Sequence, residues 1–409
     1  MKNVGIIGGG ASGMMAAVAA AEEGARVTIL EKQDRIGKKI LATGNGKCNL
    51  SNLSFSAQRD YHSQEPEKIE SFFKQFSVRE AVAFFEDRGL VLTEKNGYLY
   101  PRSGQASTVL NLFLEQLERL SVKIVTECGI HRIQKEKNGY RVCTDKGDFS
   151  FDTLVLACGS NAGTKEKDGL GGTQLSEKLG IRSSQMLPAL TALRCEGEYW
   201  KALAGVRCEG QITLQVKSRQ GEEKVYRESG EIQLTDYGLS GIPAFQLSRH
   251  ASLGLFGKAA VNASVDFFPD VKLGQWRVYC EQRVQKSAGR TVSAFLEGMV
   301  NKKIAQVLLK EAGLKMTDTV CVPMQKNLWK ALCLMRDFKV HVKAVNPAAN
   351  AQVCLGGVLL GQLDDHLQAK QCKGLYFAGE LLDVDGRCGG YNLQWAWTSG
   401  WITGKNASR

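Results

Sequence analysis

Proline and histidine are scarce in this chain, with seven and five respectively in 409 residues, and its twelve cysteines contain no C-x-x-C pair. Each scarcity excludes something. So few prolines against 44 glycines point to tight turns rather than a Pro-rich disordered tract. Scattered cysteines such as Cys128, Cys143, Cys158 and Cys195 exclude a flavin-linked dithiol centre and a structural zinc site, so reduced thiols are expected. The histidines (His62, His131, His250, His341, His366) lie outside every motif below, and no Ser-His-Asp or metal-ligand spacing emerges. No metal is expected.

Long apolar runs are missing too. The first one starts right after Met1-Lys2-Asn3 and is broken by Gly8, and no later stretch reaches the length of a membrane span. A cytoplasmic chain without a membrane partner is expected. The formal charge of +11 comes from basic residues interleaved with acids along most of the length, without the basic-aromatic pattern of a nucleic-acid module. A small-molecule partner is expected rather than nucleic acid. The length favours two or three domains. It does not indicate an oligomeric state.

What is present begins at residue 4. The stretch VGIIGGGASGMMAAVAAAEEGARVTILE predicts strand, glycine turn, alanine-rich helix stopped at Gly24, and second strand. Its G-x-G-x-x-G glycines are Gly8, Gly10 and Gly13, which permit the turn, the approach of a pyrophosphate and close helix packing. The helix start at Ala11 and Ser12 offers free N–H groups to phosphates. Glu31, followed by Lys32, sits where an acid accepts hydrogen bonds from a ribose diol. Dinucleotide binding follows.

A second glycine-rich segment, KQDRIGKKILATGNGKCNLSN, replaces the further βα units of an NAD domain. Lys38, Lys39 and Lys47 can balance phosphate charge, and Thr43, Gly44, Asn45, Gly46, Cys48 and Asn49 offer small polar contacts to an extended cofactor. KIVTECGIHRIQ, YRVCTD and DFSFDTLVLACGS predict a three-stranded meander leading into a buried parallel strand. Ile130 is placed to meet an adenine through its main chain, and Ala157, Cys158 and Gly159 to pass near the cofactor. The segment GLYFAGELLDVDGRCGGYNLQWAWTSGW then predicts a short strand, an acidic loop, a Gly389-Gly390 turn and a helix. Gly379, Glu380, Asp383 and Asp385 suit a ribityl chain, and the helix start at Tyr391, Asn392 and Leu393 suits the negative charge of a reduced isoalloxazine. The expected cofactor is FAD.

These segments together resemble a bacterial family of FAD-dependent oxidoreductases, the aminoacetone-oxidase or 3-dehydro-bile-acid-reductase-like flavoproteins. The resemblance rests on IIGGGASGMMAA, GKKILATGNGKCNLSN, YPRSGQAS, LPALTAL, DYGLSGIPAFQLS, FAGELLDVDG and GGYNLQWAWTSG, and runs through nearly the whole chain. Three positions depart from it. The family's A-T-G-G is Ala157-Cys158-Gly159-Ser160, a frequent histidine is Asp236, and a frequent Pro-Thr pair is Arg387-Cys388.

The fold class expected is α/β: a discontinuous Rossmann-like FAD-binding domain (1–187 and 354–409) carrying an inserted β-barrel (188–269 and 336–353) and a helical subdomain (270–335). The resemblance implies this three-part layout, with substrate entering between the insertion and the flavin. Tyr391, Arg387 and Tyr237 are the candidates for the substrate side of the ring, a tyrosine being able to donate a proton to a reduced carbon. Only one complete dinucleotide fingerprint exists, so NAD(P)H is expected as a transient co-substrate without a domain of its own. Two activities follow from the family: reduction of an activated C=C, as in a 3-oxo steroid dienone, and oxygen-dependent oxidation of a small amine. An FAD-dependent RNA-modifying enzyme and a non-catalytic flavoprotein sensor stand as alternatives.

Overall fold

Strands that are apolar at nearly every position form a parallel sheet buried on both faces. In the computed structural model, which describes residues 1–163 and 171–409, this sheet has five strands in the order Leu375–Phe377, Thr153–Leu156, Asn3–Ile7, Arg26–Leu30 and Lys123–Val125. One face carries an antiparallel meander (Ile130–Glu136, Gly139–Thr144, Gly147–Phe151). It lies so close that a Cβ on Gly5 would stand 2.4 Å from the Phe151 ring. KIVTECGIHRIQ therefore holds two strands rather than one: Lys123–Val125 joins the parallel sheet before the meander begins.

The opening helix Ala11–Glu22 is buried at every position from Ser12 to Ala20. A helix buried all round needs no apolar stripe, which is why its alanine-rich sequence shows none. It packs beside the closing helix Tyr391–Ala407, itself mostly buried. These elements belong to a compact unit made of residues 1–187 and 353–409.

Residues 188–352 form a second compact unit. Its centre is a closed six-stranded barrel, in the order Leu193–Cys195, Gly238–Gly241, Glu223–Thr235, Arg207–Lys217, Ala260–Asp266 and Phe338–Val345. Alternate residues point inward, among them Ile212, Leu214, Ile232, Leu234, Val261 and Val265, each at most 1 % exposed. Helices Trp276–Lys286, Val292–Glu297, Lys302–Ala312 and Lys326–Leu334 share one apolar core with the barrel.

One element of this unit departs from the sequence reading. IPAFQLSRHASLGLF, expected within a run of strands, is the helix Ile242–Phe256. Its buried face is built largely of small residues (Ala244, Ser248, Ala251, Ser252, Gly254), which dilute the helical apolar period. Pro243 in the first turn marks its start.

Candidate functional site

The opening turn shows why each fingerprint position is glycine. Gly8 has φ +103°, and a Cβ there would stand 2.5 Å from the Ala157 carbonyl oxygen. A Cβ on Gly13 would stand 1.9 Å from the Gly8 carbonyl oxygen. At Gly10 and Gly159 a Cβ would meet nothing within 4 Å, so both positions face an opening. The opening helix has neither a side-chain cap nor an acidic residue in its first turn, leaving the N–H groups around Ala11 and Ser12 and the positive end of the dipole to an anion.

Glu31 is 9 % exposed and clamped under this turn. Gly9 N–H donates to its Oε2 at 2.7 Å and Gln33 N–H to its Oε1 at 2.8 Å. Each oxygen keeps a second lone pair for a sugar hydroxyl. Cys128 N–H donates to the Glu31 carbonyl at 2.9 Å, which brings Ile130, at the start of the meander, beside the same acid. Cys158, on the strand end next to the turn, donates its Sγ–H to the Ile7 carbonyl at 3.6 Å.

The closing helix is parallel to the opening one. A Cβ on Gly400 would touch the Ser12 carbonyl at 2.5 Å, and one on Gly404 the Ala16 carbonyl at 2.2 Å. Beyond the end of the opening helix, Lys405 pairs with Glu23 at 3.5 Å. Tyr391 opens the closing helix nine residues before Gly400, whereas Ala11 opens its partner one residue before Ser12. At 1.5 Å per residue the closing helix projects about 12 Å further. Two positive helix ends thus face the same way in steps, the order a diphosphate and a ring joined by a ribityl arm require.

The second glycine-rich segment meets this projecting end. Gly389 and Gly390 have φ +124° and +91°; a Cβ on Gly390 would stand 2.6 Å from the Ser51 carbonyl oxygen, and one on Gly389 2.6 Å from the Tyr98 ring. Asn52 Nδ2 donates to the Gly389 carbonyl at 3.1 Å, Ser51 Oγ to Gln394 Oε1 at 2.7 Å, and Trp397 Nε1 to the Leu50 carbonyl at 2.9 Å. The Asn49 amide nitrogen faces the carbonyls of Leu99 and Ser51 at 3.2 and 3.1 Å. Between Thr43 and Cys48 the backbone is left-handed at Gly44, Asn45, Gly46 and Cys48, a curled main chain of the kind that points N–H groups at an anion. Gly44, Gly46 and Lys47 are exposed. Cys48 is fully buried, and burial pushes its thiol up to about 12 against a hydrogen bond with Thr43. It remains a neutral thiol.

Several charges expected at the cofactor already have protein partners. Lys38 pairs with Asp34, whose carboxyl is lowered by that contact, and Lys39 pairs with Glu380 at 2.6 Å. Glu380 also accepts Ser160 Oγ at 2.5 Å and the Cys354 N–H at 2.8 Å. It braces three segments instead of presenting a bare carboxylate to a ribityl chain. Ser160, where the family pattern has glycine, is thereby given a task. Gly379, at φ +71°, donates its N–H to Ser399 Oγ at 2.9 Å and accepts Trp395 Nε1 at 3.1 Å. Asp385 is 3 % exposed in a short strand paired with Tyr61–His62. Asn392 locks Gly386, accepting its N–H and donating to its carbonyl, both at 2.8 Å. Leu393 is half-buried on the same turn of helix.

Tyr391 and Arg387 fall together beside residues that no motif announced. The Tyr391 hydroxyl donates to the Ser54 carbonyl at 3.1 Å, and its own carbonyl accepts Tyr61 OH at 2.7 Å. Burial raises the Tyr391 phenol, Asp60 adds to the rise, and Arg59 opposes it. Arg387 N–H donates to the Asp60 carbonyl at 2.9 Å. Asp60, 2 % exposed, is gripped by Arg59 through Nε and Nη2, both at 2.8 Å. Arg59-Asp60-Tyr61 has no spacing that would single it out in sequence; only the pairing of Asp385–Gly386 with Tyr61–His62 brings it here. Tyr237 belongs to the barrel unit, where Asn346 Nδ2 donates to its hydroxyl at 3.0 Å. No helix among the described residues is long and apolar enough to cross a membrane.

An uncapped helix start, an opening at Gly10, a clamped acid and a second stepped helix end fit a flavin dinucleotide. The profile of the HI0933-like protein Rossmann domain matches residues 2–406. The chain belongs to this HI0933-like family. It is an FAD-dependent oxidoreductase. Over its full length it is 38% identical to the 3-dehydro-bile acid delta(4,6)-reductase of Clostridium scindens, covering 99% of that protein. It is 27% identical to the ribosomal RNA dihydrouridine synthase of Escherichia coli over 97% of this chain and 95% of that one. Among solved structures, a 3-ketosteroid-delta4-(5alpha)-dehydrogenase from Rhodococcus jostii matches with a TM-score of 0.50 at 13% identity, covering 100% of this chain and 97% of that one. At that identity the likeness concerns the fold of this HI0933-like protein.

Proposed function

We propose that this protein reduces a carbon–carbon double bond conjugated to a carbonyl in a small steroid-like substrate, with NAD(P)H as electron donor, in the reducing cytoplasm. The carrying observation is the full-length relationship to a bile acid reductase at 38% identity. The dihydrouridine synthase relationship supports the same bond type, because dihydrouridine is uridine with the C=C next to its carbonyl saturated.

Bound FAD supplies hydride transfer at its N5. Gly8, Gly10, Ala11, Ser12 and Gly13 hold the diphosphate, Glu31 and Lys32 the ribose end, and Ile130 the adenine. Ala157, Cys158 and Gly159 line the passage beside the turn, and the curled stretch Thr43 to Asn49 follows the extended middle of the cofactor. Gly379 and Asp385 border the ribityl chain. The turn Gly389-Gly390 and the helix start at Tyr391, Asn392 and Leu393 place a positive dipole end where negative charge develops on the reduced ring. Tyr391 and Arg387 line the substrate side.

Anaerobic mixing tests the reading. NADH or NADPH is expected to bleach the flavin, and a 3-oxo steroid enone or dienone to restore its colour. Restoration by oxygen alone, with a primary amine as the better reductant, would replace the reductase with an amine oxidase. A second substrate class is favoured by the dihydrouridine synthase relationship and the net charge of +11. Salt-dependent retention on ribosomal RNA, together with no turnover of free enones, would transfer the reading to RNA.

A further inference from the structure

Two further tyrosines border the projecting end of the closing helix. The strand Tyr98–Pro101 pairs with Ser51–Asn52, setting Leu99 opposite Ser51 and Tyr98 opposite Asn52. Successive side chains of a strand leave on opposite faces. Leu99 and Pro101 are buried, so Tyr98 and Tyr100 share the other face, each half-buried. Asn52 ties this strand to the helix start through its bond to the Gly389 carbonyl at 3.1 Å. A Cβ on Gly389 would stand 2.6 Å from Tyr98 Cε1, and one on Gly44 3.7 Å from Tyr100 Cε1. Tyr98 therefore lies against the turn that opens the closing helix, and Tyr100 against the curled segment. Burial raises the Tyr100 phenol and Tyr98 adds to the rise, as it does at Tyr391 behind burial and Asp60. The three phenols share one neighbourhood.

They differ in what their protons are doing. The Tyr391 O–H is committed to the Ser54 carbonyl at 3.1 Å, which Arg59 Nη2 also approaches at 2.5 Å. Arg59 and Arg387 stand beside it, but a guanidinium does not release its proton in a protein. Among the described residues, neither the Tyr98 nor the Tyr100 hydroxyl hydrogen-bonds to a protein group, and neither is sealed from solvent. Of these two free phenols, Tyr98 is the one at the Gly389-Gly390 turn, where the reduced ring belongs. Tyr100 stands beside the stretch that follows the middle of the cofactor.

We propose that Tyr98 is the proton donor to substrate, an assignment that rests on the enone-reductase reading and lies wholly within the unit that holds the flavin. Saturating an enone adds a hydride to the β-carbon and a proton to the α-carbon. The hydride is the contribution of FAD, recharged by the nicotinamide reductant. The Tyr98 O–H bond breaks as the α-carbon C–H bond forms, and the phenolate regains its proton from water.

The test uses FAD-loaded protein reduced photochemically, so that the nicotinamide step does not enter, and follows reoxidation by a 3-oxo steroid enone. Tyr98→Phe keeps the ring that packs on Gly389 and loses only the hydroxyl. It is expected to bind FAD at parent stoichiometry and to slow reoxidation at saturating enone by about 10²-fold or more, with half-saturation little changed. An independent readout needs no turnover and no loss of the phenol. In full-length protein with 3-fluorotyrosine in place of Tyr98 alone, a saturated 3-oxo steroid is added to the oxidised, FAD-loaded form, with binding followed by equilibrium dialysis. The fluorine resonance is expected to shift in step with steroid bound. A parent protein reoxidised by enone while Tyr98→Phe matches its rate, or a fluorine resonance that stays in place while steroid binds, overturns the proposal. A parent protein inert to every enone overturns the reductase reading, and the proposal with it.

Discussion

The central elements of the two compact units meet in different ways. In the first, backbone meets backbone: Gly8, Gly13, Gly400 and Gly404 each place a missing Cβ within 2.5 Å of a carbonyl oxygen. In the barrel, side chains fill the interior, with Ile212, Leu214, Ile232 and Leu234 alternating along paired strands. Contact between backbones cannot relax by changing rotamer, whereas a side-chain core loses volume gradually. A carbon added at these glycines should therefore matter far more than carbons removed from the barrel interior.

The largest effect is expected at Gly13, where the added Cβ would lie 1.9 Å from the Gly8 carbonyl oxygen. Gly13→Val should yield protein without flavin absorbance or with little soluble material, and a yellow product at parent stoichiometry would break the contrast. Gly404→Val comes next, because it pries the parallel helices apart at Ala16 without touching the turn. Its melting temperature should fall and its flavin should leave at lower denaturant concentration than in the parent. Leu214→Ala in the barrel should cost about 2–5 kcal/mol in urea unfolding while purified protein stays yellow. Flavin loss in Leu214→Ala equal to that in Gly13→Val would erase the distinction between the units.

The smallest effect is one the units should share. Burial raises the thiols of Cys48 in the first unit and Cys195 in the barrel from 9.0 to about 12. Below pH 9 the thiols are protonated in both folded and unfolded chains. Between pH 9 and 12 only the unfolded chain releases the protons, so stability falls as pH rises through that window. Serine at either position should flatten this loss, as followed by urea midpoints across the range. A midpoint independent of pH in the parent would show that neither thiol is held neutral.

The same contrast explains what was legible beforehand. Gly8 and Gly13, which meet backbone, and Gly10, which faces an opening, announced the opening turn, and the Gly389-Gly390 pair announced the start of the closing helix. The α/β class was legible from the strand, glycine turn, helix and strand at residues 4 to 31. The helix Ile242–Phe256 was not, because a face of alanine, serine and glycine carries little apolar signal. Nor was the group Arg59, Asp60 and Tyr61 at the projecting helix end, which owes its place to a two-residue strand pairing. Glu380 was read as a ribityl partner and not as a brace, since its partners Lys39, Ser160 and Cys354 are far from it in sequence.

The parallel packing of the first and last helices also sets an order of events during synthesis. The edge strand Leu375–Phe377 and the glycines at 400 and 404 leave the ribosome after the whole barrel has emerged. Until then the opening helix lacks its companion and the parallel sheet one border. The barrel, continuous in the chain, can settle first. The nucleotide fold, begun earliest, is the last to close.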